Sequence, residues 1–146
     1  KRKIINKQNA DENEIKGHIE KSEHNINFIK SAMDSGFSDW AIVGCYYAAY
    51  HIALALILKK GYSSKNHDAT LCVLIKEYYR KYLSILDIVL LNKIYLDNED
   101  VLFYTKSKED REKASYSTKI VFTNEEVEAL REKTLLFVRK ARNILG

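Results

Sequence analysis

Residues 40–60 read WAIVGCYYAAYHIALALILKK, and this stretch decides the fold. Every side of a helix drawn through it is apolar. One row is Trp40, Gly44, Tyr47, His51, Leu54 and Leu58, a second is Ile42, Tyr46, Ala49, Ala53 and Leu56, and a third is Ala41, Cys45, Ala48, Ile52 and Ala55. A helix apolar all round has to touch partners on several faces, so it is expected at the centre of a bundle. The small residues Gly44, Ala48, Ala49 and Ala55 allow neighbouring helices to come close. Ser38 is placed to cap its start, and Gly61 suits its end because glycine takes positive φ without strain. The stretch is too short and too spotted with tyrosine and histidine to read as a membrane span.

Working outward, the rest of the chain is also helical in pattern. It holds no proline and five glycines in 146 residues, so long helices with short joints are expected. A first helix starts at Asp11, with Glu14 set as in a capping box, and carries the stripe Ile15, Ile19, Ile26, Ile29 and Met33 before Asp34-Ser35-Gly36 ends it. After the central helix and the polar joint 62–65, a third helix is expected over 66–81. Ser84 with Asp87 caps a fourth, carrying Ile85, Ile88, Leu91, Tyr95 and Leu102, whose acidic patch 97–100 marks a polar face or a break. Residues 105–123 are polar and irregular. Thr123 with Glu126 makes the clearest capping box, and the last helix comes after it with Val127, Leu130, Thr134, Phe137 or Val138, Ala141 and Ile144 or Leu145 in a narrow stripe. The reading is all-α: a single domain over 11–146, an up-and-down bundle of four to five helices, with residues 1–10 as a loose polar tail.

Composition excludes little but bounds the chemistry. Forty-six per cent hydrophobic and 30% charged residues rule out wholesale disorder. A net charge of +4 is mildly basic and does not by itself require nucleic acid. Cys45 and Cys72 lie in apolar helical stretches and read as buried free thiols, which fits a reducing cytoplasm. There is no C-x-x-C and no H-x-x-x-H for zinc, no glycine-rich phosphate loop and no G-x-S-x-G, so neither a metal nor a cofactor is expected. His51 reads as a core histidine whose ring is satisfied by a neighbour. His67 reads as a residue of a helix start, and His18 and His24 as surface or rim residues. Of the ten tyrosines, Tyr46, Tyr47 and Tyr50 fall on the central helix. Tyr78, Tyr79 and Tyr82 fall beside Lys76, Arg80 and Lys81. Packing and self-association are the favoured reading of both groups, with stacking on single-stranded nucleic acid as the other.

The run DWAIVGCYYAAYHIALALILKKGY (39–62), followed by KNHDA (65–69), resembles the second helix and following turn of HEPN proteins. DREKASYS (110–117), then TNEEVEALREKTLLFVRKARNIL (123–145), resembles that family's late arginine motif and closing helix. The resemblance spans about residues 14 to 145. It implies a four-helix up-and-down bundle with an extra short helix, and a homodimer. Many HEPN proteins are metal-independent ribonucleases, often toxins or defence effectors. Others are non-catalytic partners of small nucleotidyltransferases. In the ribonucleases an arginine is followed, after four to six residues, by a histidine. Here Arg111 is followed by Tyr116 at that place, and no histidine lies after His67. Proton transfer near neutral pH suits histidine, whereas a tyrosine with a pKa near about 10 is a poor general base.

The expected function is that of a dimeric cytoplasmic module that binds RNA, a nucleotide or a partner protein around Arg111, with Tyr104 and Asp110 beside it, and is non-catalytic or a catalytic variant because the family histidine is absent. The alternative is a metal-independent endoribonuclease that uses Arg111 with Tyr116.

Overall fold

A computed structural model describes residues 5–7, 11–106 and 122–146, with side chains described over 11–103 and 122–146. Among these residues are five helices: α1 (Glu12–Asp34), α2 (Ser38–Lys59), α3 (His67–Tyr78), α4 (Ile85–Lys106) and α5 (Asn124–Leu145). Two short strands, β1 (Ile5–Lys7) and β2 (Tyr62–Ser64), pair antiparallel, with Lys7 opposite Tyr62. That pairing ties part of the N-terminal stretch, read from sequence as a loose tail, to the joint after α2.

The bundle is up-and-down. α1 runs antiparallel to α2: Ile15 clusters with Ala55 and Leu58, and Ser22 donates its buried hydroxyl to the Ala48 carbonyl at 2.7 Å. α4 also opposes α2, with Tyr95 against Tyr46. α5 runs parallel to α2. It begins where Ser38 Oγ donates to Asn124 Oδ1 at 2.7 Å, and it ends with Leu145 against Ala55 and Leu58. α3 is the short extra helix, anchored by the Tyr78 hydroxyl, which donates to the Leu56 carbonyl at 2.6 Å.

The central position of α2 follows from its composition. Twelve of its residues are buried, on faces turned to α1, α3, α4 and α5. Ile42, Ile52, Leu56, Ile57 and Leu58 each contribute about 1.5–3 kcal/mol by leaving water. By length and composition alone α2 would suit a membrane, but two-thirds of its apolar window is buried inside the bundle. Gly44 sits where α1 crosses closest, and a Cβ there would meet Ile29 Cγ1 at 2.8 Å. One side of α2 stays open. Trp40 and Tyr47 are each 39% exposed, and Val43, Tyr50 and Leu54 are half-buried.

Several local readings change. Ser38 is the first helical residue of α2 rather than its cap, which falls on Phe37, and its hydroxyl is used to hold α5 instead. α3 ends at Tyr78, three residues short of the expected Lys81. Residues 79–83 instead fold back. The Arg80 amide donates to the Leu83 carbonyl at 2.8 Å, and the Leu83 amide donates to the Tyr78 carbonyl at 3.0 Å. Arg80 sits at φ +73°, which costs a residue with a side chain roughly 1–3 kcal/mol. The acidic patch 97–100 does not break α4, which runs through it. Cys45 is buried, but Cys72 is exposed because it lies on the outward side of α3 between buried Val73 and half-buried Leu71. The Thr123–Glu126 capping box forms as expected, with both reciprocal bonds present.

Candidate functional site

Asp110, Arg111 and Tyr116 lie outside the described residues. Tyr104 falls in the last turn of α4, and its side chain is also outside them. The frame that carries this segment is described. The chain leaves α4 at Lys106 and resumes at Phe122, close to the capped start of α5, which is fastened to the start of α2 through Ser38 and Asn124. Between α4 and α5 near that junction is a cavity of about 190 Å³, lined by Ile42, Lys93, Phe122, Leu130 and Lys133 among others. Pockets that enclose a small ligand usually run to roughly 300–1,000 Å³, so this one is undersized for a nucleotide. The Asn98 side chain on α4 is 2% exposed, and its Oδ1 has no hydrogen-bond partner among the described residues.

The open side of α2 carries a connected run of rings. His18 of α1 and His51 of α2 place their Nδ1 atoms 2.9 Å apart, with the rings stacked at 5.1 Å. Tyr47 and Tyr50 both lie against His51, at 6.2 and 6.0 Å. Tyr46 stacks on Tyr50 at 5.4 Å and meets Tyr95 of α4 at 6.0 Å. Tyr95 in turn stacks on His67, with ring centres 4.0 Å apart and planes within 6°. His67 Nε2 lies 3.4 Å from Asn92 Oδ1. Behind Tyr46, Tyr50 and His67 is a cavity of about 10 Å³, room for roughly one water molecule.

The electrostatics follow from half-burial among uncharged rings. Burial lowers His18, opposed by the nearby Glu14 carboxylate and reinforced by Lys21. Burial, then His18, then Lys21 push His51 down to about 4. Burial also lowers His67, against the hydrogen bond its ring N–H donates to Asn92 Oδ1 and the carboxylates of Asp68 and Glu99. At neutral pH these rings are therefore uncharged. A hydrogen bond between two Nδ1 atoms requires one to carry the proton and the other to accept, so the pair holds opposite tautomers. The His51 ring, held down at about 4, is a poor general acid at pH 7, since almost none of it is imidazolium. The Tyr46 and Tyr50 hydroxyls are pushed further up by burial, then by their neighbouring tyrosines. Neither acts as a base. Among the described residues no group of three His, Cys, Asp or Glu is disposed to hold a metal.

Part of this constellation was readable. His51 is satisfied by a neighbour, as expected. His18, expected at the surface or rim, is half-buried and is that neighbour, and His51, expected in the core, is only half-buried as well. The signal was the stride Ile15, His18, Ser22, Ile29, which shares one face of α1 with two buried residues of the named stripe. The His67–Tyr95 stack joins positions 28 apart in sequence and leaves no local trace.

Two comparisons bear on kinship. The family model described as the HEPN domain matches residues 15–144. A relative from Methanocaldococcus jannaschii, named "Putative toxin MJ0142", is 28% identical over 132 residues, covering 90% of this chain and 82% of the relative.

Proposed function

The chain belongs to the HEPN domain family, and we propose that it acts as a dimeric module that binds RNA through the segment around Arg111 without cleaving it. One observation carries this reading: Arg111 stands in the family's arginine position while Tyr116 stands where the ribonucleases have histidine. His18, His51 and His67 are engaged in ring contacts on the open side of α2, and burial lowers all three. Arg111 still supplies a planar fork of donors suited to a phosphate.

The second copy docks on the open side of α2. What supports this is the stripe Trp40, Val43, Tyr47, Tyr50 and Leu54, large and partly exposed residues at alternating three- and four-residue spacing. Uncharged tyrosine and histidine rings suit a face that is dry in the dimer and wet without it.

Titration of a labelled single-stranded RNA by fluorescence anisotropy tests the reading. Arg111→Ala, with its helical circular dichroism unchanged, is expected to weaken binding at least tenfold. Unchanged binding removes Arg111 from the site. Binding of a free nucleotide or a partner protein with no affinity for RNA replaces the ligand named here.

A second reading, a metal-independent endoribonuclease using Arg111 with Tyr116, is favoured by the word toxin in the name of the relative. Cleavage of RNA in the presence of a metal chelator, lost in Tyr116→Phe, is the outcome that would select it.

A further inference from the structure

The positive charge of the chain is concentrated in one place. Residues 59–82 hold six cations (Lys59, Lys60, Lys65, Lys76, Arg80 and Lys81) and two acids, Asp68 and Glu77. That excess of four equals the net charge of the whole chain, so the remaining residues are balanced, 18 against 18. All six cations are exposed.

The fold brings three of them, Lys60, Lys76 and Arg80, against tyrosines at the pole formed by the end of α2, the end of α3 and the start of α4, while Lys59 lies 3.9 Å from the Glu12 carboxylate of α1. Lys60 Nζ lies 5.5 Å from the centre of the Tyr78 ring. Lys76 Nζ lies 5.5 Å from the Tyr62 ring and 3.2 Å from its hydroxyl. The Arg80 guanidinium lies 5.5 Å from the Tyr79 ring. Tyr82 stands edge-on to Tyr78 at 6.1 Å and is 50% exposed. The turn 79–83 that presents Arg80 and Tyr82 is held by backbone hydrogen bonds, and Arg80 is its left-handed residue. Arg80 is also the only non-glycine residue at positive φ among the described residues. A strained backbone kept in place to display a guanidinium over the Tyr79 ring is what a binding surface would require.

We propose that this basic, tyrosine-faced turn is a contact surface for single-stranded nucleic acid. The cations neutralise phosphates and release counterions. The exposed Tyr82 ring stacks on an unpaired base, which a duplex does not offer. An acidic protein surface would satisfy the cations but would give this ring no flat partner. This surface uses none of the residues assigned to the Arg111 segment. Arg80 and Lys106, which leads into that segment, lie toward opposite ends of α4, a helix of about 33 Å.

The test compares labelled oligouridine with a hairpin duplex of equal charge by anisotropy at several salt concentrations. It uses the full chain, Arg80→Gly, Tyr82→Ala and Arg111→Ala. Arg80→Gly suits the positive φ, so loss of folding does not confound it. Wild type is expected to prefer the single strand. Tyr82→Ala is expected to weaken oligouridine about fivefold or more. Arg80→Gly is expected to lower the slope of log affinity against log salt by roughly 0.7. Equal affinity for duplex and single strand, or affinity unchanged in both turn variants, overturns the proposal. If Arg111→Ala alone weakens binding, the turn is not the contact surface and the Arg111 reading stands. If the turn variants alone weaken it, the converse holds.

Discussion

His18 Nδ1 and His51 Nδ1 face each other at 2.9 Å across the α1–α2 contact, and both rings are half-buried. Only one of the two atoms can carry a proton. A proton on both Nδ1 atoms breaks that hydrogen bond and sets an imidazolium against a second N–H; burial, then His18, then Lys21 push His51 down to about 4. That lowering sets the sign of the pH effect. The folded pKa lies below the ordinary value near 6.5, so the unfolded chain binds more protons as pH falls. The contribution is complete above about 6.5 and is lost as pH drops toward about 4. Allowing for solvent screening of half-exposed rings, the loss is roughly 1–2 kcal/mol. Thermal melts between pH 7.5 and 4 are expected to show a falling Tm, with the slope flattened in His51→Gln. An equal slope in that variant removes the pair as the cause.

Gly44 marks the closest approach of α1 to α2. A Cβ there meets Ile29 Cγ1 at 2.8 Å and Phe28 Cδ2 at 3.0 Å. Ile29 is fully buried and cannot swing away. Gly44→Ala gains about 1 kcal/mol of helix propensity, but overpacking costs about 1–3 kcal/mol. Urea denaturation is expected to show a net loss of about 1 kcal/mol, and a larger loss for Gly44→Val. A stabilised Gly44→Ala would show that the contact gives way.

Asp87 joins two functions at the start of α4. Its Oδ2 accepts from the Ser84 amide at 2.9 Å and from Lys140 Nζ of α5 at 2.8 Å. Asp87→Ala removes the cap and the ion pair that ties α4 to α5, and is expected to cost about 1–2 kcal/mol. Lys140→Ala loses the ion pair alone and is expected to cost less than about 1 kcal/mol. Equal costs for the two variants would mean that the cap contributes nothing.

The two thiols differ in reactivity. Burial pushes Cys45 up to about 11, partly offset by the Thr134 hydroxyl and Arg131, whereas Cys72 is exposed. An aromatic disulfide reagent at pH 8 is expected to label one thiol rapidly in the native protein and the second only on unfolding. Rapid release of two equivalents would contradict the burial of Cys45.

The fold was legible because its decisive signals are local. The all-round apolar character of 40–60 predicts a central helix, and α2 is one. The Thr123–Glu126 and Ser84–Asp87 caps are spelled out within four residues each. The early end of α3 was not legible. Tyr78 continues the helical stride in sequence, but its hydroxyl is fixed on Leu56, and the chain turns back through a positive φ at Arg80 that no propensity predicts. The candidate site divides in the same way. Arg111 and Tyr116 were read from the motif alone, and both lie outside the described residues. The pairing of His18 with His51 and of His67 with Tyr95 depends on which helices meet, and that is settled only by tertiary packing.

Whether this HEPN chain holds RNA without cutting it can be read in a single experiment. An end-labelled single-stranded RNA is incubated with the protein in excess chelator, at a concentration where the dimer predominates by mass. Bound and total RNA are then read on native and denaturing gels. The expected result is RNA shifted on the native gel, full length on the denaturing gel, and unshifted with Arg111→Ala. Shortened RNA that disappears with Arg111→Ala would contradict binding without cleavage and establish the ribonuclease instead.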